Sequence, residues 1–160
     1  MNSHPVPGQA MTEEALLWPV LAAIGKAWWQ IRLLHRSADV GALLPPVGLG
    51  DATAIDPENI LRRVDRIVHG VVFWKFDKRC FYRSFAVATV LRQRGIPAGI
   101  DFGLRLSGSR RKQCHCWVTI HGQALGEETE PRQRFPIAAG QWGETVHYWL
   151  ADDDAEELNP

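Results

Sequence analysis

The stretch KFDKRCFYRSFAVATVLRQRG, Lys75 to Gly95, decides how the rest of the chain is read. From Cys80 to about Arg94 it has the composition of a helix. It stops at Gly95, with Pro97 just beyond, where a chain commonly leaves the helical conformation. Cys80, Ser84, Val87 and Leu91 follow one another at helical spacing and share one apolar face, so Cys80 looks inward. The cysteine also stands in the helix's first turn. There the unpaired amides and the helix dipole favour thiolate over thiol. The same amides can hold an oxyanion once an acyl carbon is attacked. Cys80 therefore reads either as a buried structural thiol or as a nucleophile.

Before this helix, Thr12-Glu13-Glu14 begins an amphipathic helix that runs to about His35, with Pro19 as a kink or a fresh start. Its Leu, Ile and Trp face covers a core, or docks against a partner or a membrane surface. A Gly/Pro-rich connector occupies 41–56. A second helix opens at Asp56-Pro57, with Ile60, Val64, Ile67 and Val71 as its stripe. After Gly95 the apolar period falls to two: Ile100, Phe102, Leu104 and Leu106 mark one strand and QCHCWVTIHG a second. A tight turn at His121-Gly122 leads into a third at QALGEE, and ETVHYWL is a candidate fourth. The expected fold class is α+β, with N-terminal helices followed by a small antiparallel sheet. The expected division is a helical arm and connector over 1–56, a core over 57–150 and an acidic tail over 151–160.

A nucleophilic cysteine needs a base, and the base needs a group to orient it. His115 lies on the second strand, sharing a face with Trp117, while Cys114, Cys116 and Val118 take the other. The hairpin turn brings Glu127 and Glu128 back toward the level of His115. One of them can accept the imidazole N–H.

The rest of the composition narrows the function. The chain has 160 residues, 18 basic and 18 acidic, with 46% hydrophobic residues, which describes an ordinary globular protein rather than a nucleic-acid binder. Three cysteines and a start, MNSHPVPGQAMTEE, with no basic and apolar signal point to a reducing cytoplasm. The apolar run Leu16–Ile24 is too short to span a bilayer, so no stable membrane insertion is expected. Cys114-His115-Cys116 is one cluster without a second, and its cysteines point away from the histidine, so no metal is expected. The basic run SGSRRK reads as a solvated turn, or as a surface that steers an acidic partner. Arg83 and Arg92 to Arg94 read as solvated or paired surface charges, and His69 and His147 as structural.

Two segments together, KRCFYRSFAVATVLRQRGIPAGIDFGLR and CHCWVTIHGQALGEE, resemble the small transglutaminase-like cysteine peptidases of lasso-peptide biosynthesis. In that family a C-[LF]-x-R-[SA]-x-A helix ends in R-R-G-[IV]-x-A. An H-A-W-V strand, a D-G turn and an acid follow. The likeness extends from about Val64 to Phe135 and is to the standalone protease half of the maturation protein. It implies a papain/transglutaminase-like fold and a Cys-His-acid triad. Cys80 is then the nucleophile, His115 the base and acid, and Glu127, twelve residues after the histidine, the orienting carboxylate. Glu128 is the competing acid. The family's acid is commonly Asp, Cys116 replaces its usual Ala, and His121 replaces the Asp of its turn.

The implied reaction is removal of a leader from a lasso-type precursor peptide through a thioester, with no cofactor. The implied partners are the precursor peptide, a small leader-recognition protein and an ATP-dependent lasso cyclase. The sequence leaves two rivals: an acyl transferase that uses an amine in place of water, and a catalytically silent binding module.

Overall fold

The computed structural model describes residues 13–33, 43–52, 55–71, 79–106, 112–127, 130–135 and 137–138. Helix α1 spans Glu13–Leu33, α2 Pro57–Val71 and α3 Arg79–Gln93. Strands β1 (Ala98–Leu106) and β2 (Lys112–Ile120) follow, then β3 (Gln123–Ala124), a short helix α4 (Pro131–Arg134) and β4 (Ile137–Ala138). The order across the sheet is β3-β2-β1-β4, and each described pairing is antiparallel. Helices first and an antiparallel sheet second make the α+β class that the sequence implies.

The start of α2 and the end of α3 each have a local cause. Asp56 caps α2 by accepting from the Glu58 amide at 3.0 Å, and Pro57, which has no amide hydrogen to leave unpaired, takes the first helical position. Helix α1 passes through Pro19 without a break, giving up one backbone bond there. Helix α3 ends where Gly95 turns to a φ of +87°. The Ile96 amide then donates back to Leu91 O at 3.0 Å.

Helix α3 is the centre of the core. It packs on α1 and α2 along one side and on β1 and β2 along the other. Phe85 through Leu91 are all buried, so helical periodicity is lost from much of its length. Helix α1, expected as an N-terminal arm, contributes Leu16, Val20, Ala23 and Ala27 to this core, and α2 contributes Ile60, Leu61, Val64, Ile67 and Val68. No described helix is long and apolar enough to cross a membrane.

The connector is a clamp on the far end of α3. The Gly48 amide donates to Arg92 O at 2.7 Å. The Arg92 guanidinium donates to Pro45 O (2.5 Å) and to Ala98 O (3.1 Å), tying connector, helix and β1 together. Arg92 is thus a structural tie between three backbone segments. A Cβ on Gly48 would lie 2.5 Å from Gln93 O, and one on Gly50 2.6 Å from Arg94 O.

The third strand is limited to Gln123–Ala124, because the chain bends away at Gly126 (φ +71°). Helix α4 and strand β4 were not anticipated. The candidate strand ETVHYWL with His147, residues 107–111 of the basic turn and the acidic tail lie outside the described residues.

Two glycines should respond to alanine with opposite signs. At Gly95 the positive φ is joined by a Cβ contact of 2.4 Å to Gly50 O, so Gly95→Ala should cost on the order of 1–3 kcal/mol. Gly25, mid-helix on α1 with nothing within 4 Å of its Cβ position, should gain roughly 0.5–1 kcal/mol as alanine. Urea denaturation of the two variants checks both. A neutral Gly95→Ala would mean that the clamp does not hold α3.

Candidate active site

Cys80 is the second residue of α3 and is partly buried. One turn further on, Ser84 is buried and its hydroxyl donates to Cys116 O at 3.2 Å. The Cys116 thiol in turn lies 3.8 Å from Ser84 Oγ. This contact sets α3 against β2 and places Cys80 beside His115. The two side chains are hydrogen-bonded.

His115 is held on its flanks by aromatic rings. It stacks on Trp117, with ring centroids 6.0 Å apart, and meets Phe135 at 5.2 Å. Trp117 is 2% exposed, so it packs the sheet and walls the imidazole at once. Phe135 reaches this position because its neighbour on β1 is a glycine. Gly103 pairs with His115 in register, and a Cβ there would lie 2.5 Å from Phe135 Cβ. The Arg134 guanidinium stands 5.9 Å from the Phe135 ring centroid.

His115 Nε2 lies 3.2 Å from Glu127 Oε1, which leaves Nδ1 for Cys80. The path of the loop explains why Glu127 is the acid that arrives. His121 (φ +51°) and Gly122 (φ +78°) form a two-residue hairpin turn with both residues left-handed. Thr119 pairs with Ala124, and Leu125 N donates to Val118 O at 2.9 Å. Continued straight, that register would set residue 128 opposite His115. The left-handed bend at Gly126 ends the ladder and turns Glu127 toward the imidazole. A side chain at 126 could not follow, since its Cβ would lie 2.0 Å from Leu61 Cδ2 on α2. Glu128 lies outside the described residues.

The electrostatics follow from these contacts. The Cys80 thiol is lowered to about 5, first by a side-chain hydrogen bond with Cys116, then by the hydrogen bond and charge of His115; burial opposes this. The His115 imidazole is raised to about 9 by its hydrogen bonds to Cys80 and then Glu127, again against burial. Near neutral pH the pair is a thiolate beside an imidazolium. That is the charge state from which a cysteine can attack a carbonyl and a histidine can release a proton to the leaving group.

Cys80, His115 and Glu127 therefore meet at one point. Cys116 lies against Ser84 on α3, while His115 lies against Trp117 and Phe135. Three residues of the site were missed in the sequence: Gly103, Phe135 and Arg83. A glycine inside an otherwise apolar strand is the signal that marks a close approach, and it was available for Gly103. Arg83 stands at the arginine of the C-[LF]-x-R motif, but nothing in the sequence names its partners.

A family model of the Transglutaminase-like superfamily matches residues 20–139, which include α1 through β4 apart from the first turns of α1. No curated protein and no solved structure matches the chain.

Alkylation of Cys80 by iodoacetamide, followed by peptide mass spectrometry against pH, should show a midpoint near the value of about 5. His115→Ala should move it up by roughly 1–3 units. The ion pair's contribution to stability should fade as pH falls through about 5, where the thiolate is protonated, and as pH rises through about 9, where the imidazolium is lost. A wild-type midpoint near 9 would remove the ion pair.

Proposed function

Because the chain belongs to the Transglutaminase-like superfamily, which includes cysteine peptidases and acyltransferases, we propose that it is a cysteine peptidase that removes the leader from a lasso-type precursor peptide. The observation that carries this reading is the line Cys80–His115–Glu127, with its thiolate–imidazolium charge state at the start of α3.

The Cys80 thiolate attacks the carbonyl carbon of the bond between leader and core. The negative charge that develops on oxygen is met by free amides of the first turn of α3. As the tetrahedral intermediate collapses, His115 gives its proton to the departing amine and the leader remains as a thioester on Cys80. His115, now neutral, takes a proton from water, and the hydroxide released attacks the thioester carbonyl. The leader leaves as a carboxylic acid and the thiolate returns. Glu127 holds the imidazole so that one nitrogen always faces Cys80. The freed amine on the core is the group that a separate ATP-dependent cyclase joins to an Asp or Glu side chain.

Recognition of the precursor is assigned to a small leader-binding partner. Helix α1 offers it a surface: Trp18 and Trp29, about three turns apart on one side, are 75% and 58% exposed. The superfamily match also supports a second reading, in which an amine takes the acyl group from Cys80 in place of water.

The test is mass spectrometry of a candidate precursor incubated with the protein and its leader-binding neighbour. A single cut at the leader–core junction is expected. It should be lost with Cys80→Ala and with His115→Ala, and slowed on the order of 10²-fold to 10⁴-fold with Glu127→Gln. A product that gains the mass of an amine would replace hydrolysis with acyl transfer. A complex with precursor that forms equally with Cys80→Ala, and yields no product with the wild type, would make the protein a binding module.

A further inference from the structure

Arg83 lies one turn along α3 from Cys80 and has partners on two elements. Its Nε donates to Asp65 Oδ1 on α2 at 2.5 Å and its Nη2 to Asp65 Oδ2 at 3.1 Å. This side-on fork uses two of the three guanidinium nitrogens. The third, Nη1, lies 3.9 Å from Glu127 Oε1, the same oxygen that meets His115 Nε2. The three side chains are shielded, at 22% exposure for Arg83, 32% for Asp65 and 16% for Glu127.

We infer that Arg83, locked by Asp65, is a positioning residue that holds Glu127 on His115 and through it sets the acidity of Cys80. The inference rests on the proposed reading of Cys80, His115 and Glu127 as one reacting unit. Glu127 leaves a left-handed bend at Gly126, and no ladder hydrogen bond is described for it. Its carboxylate is therefore fixed by side chains, and Arg83 is the cation within reach on α3. Arg83 cannot swing away while Asp65 holds both its Nε and Nη2. A lysine could not repeat this, since a point charge makes no fork. The result is a row of alternating charge, from Asp65 through Arg83, Glu127 and His115 to Cys80.

Other groups around this row come from three elements. Glu58 on α2 comes within 3.7 Å of the Cβ position at Gly126, Cys116 on β2 is hydrogen-bonded to Cys80, and Arg79 opens α3. Glu58 and Arg79 are exposed, which leaves Arg83 as the shielded guanidinium beside Glu127 among the described residues.

The experiment reads the pH midpoint of Cys80 alkylation, which needs no substrate. Arg83→Met removes both the charge and the brace, and should raise the midpoint by roughly 0.5–1 pH unit. Asp65→Asn, which frees the arginine without removing it, should raise it less, as should Arg83→Lys. Glu127→Gln should raise it as well. If Arg83 acts through Glu127, adding Arg83→Met to Glu127→Gln should add nothing further. An unchanged midpoint in Arg83→Met, or an equal increment in the Glu127→Gln background, would overturn the inference while leaving the three-residue site intact. A Glu127→Gln midpoint equal to that of the wild type would instead sink the reading of the site itself. Should Arg83→Met fail to fold, Arg83→Lys and Asp65→Asn carry the same comparison.

Discussion

The hydroxyl of Ser84 donates to the carbonyl of Cys116 across the interface between α3 and β2. That contact sits one helical turn from Cys80 and one residue from His115. It therefore fixes the separation of the two groups that exchange a proton. It also pairs a buried hydroxyl that would otherwise be costly to leave without a partner. Everything packed around α3 serves to keep this contact in register: α1 and α2 press on one side of the helix, and β1 and β2 receive the other. A helix buried along most of its circumference can be displaced only by moving several neighbours at once.

Onto this apolar frame the protein places a short row of ionised groups near the end of the helix. Burial alone would hold Cys80 and His115 neutral. Hydrogen bonds reverse that outcome, lowering the thiol to about 5 and raising the imidazole to about 9. Cys116 has a double part in this, since its backbone and thiol both bond toward Cys80 while its carbonyl anchors Ser84. The aromatic rings of Trp117 and Phe135 limit how the imidazole can turn, so the charge pair is also a directional one.

Much of this arrangement is written locally. The helix from Arg79, the cap at Asp56, the strands of period two and the tight turn at His121-Gly122 follow from neighbouring residues, and the sequence shows them. Cys80 and His115 could be paired because a helix start and the next hairpin lie close in such a fold. The choice between Glu127 and Glu128 could not be read from spacing, because a straight ladder favours residue 128. The bend at Gly126, packed against Leu61 on another element, changes which carboxylate arrives. Resemblance to a family pointed to Glu127 where residue counting could not. The partners of Arg83 and Arg92 were opaque for a similar reason. Both arginines sit on a helix and look like surface charges, and their partners, Asp65 and Pro45, lie 18 and 47 residues away.

The connector that holds the other end of α3 has the composition of a flexible linker, rich in glycine and proline. Its glycines are there for proximity rather than for freedom: backbone lies on backbone at Gly48, Gly50 and Gly95, with no room for a side chain between. Such a segment is a spacer of set length. Adding one residue upstream of Gly48 would carry a bulkier neighbour onto the Gln93 carbonyl and take the Gly48 amide away from Arg92. A stretch that looks the most open to variation is therefore held to a count of residues, as a strand is held to its register.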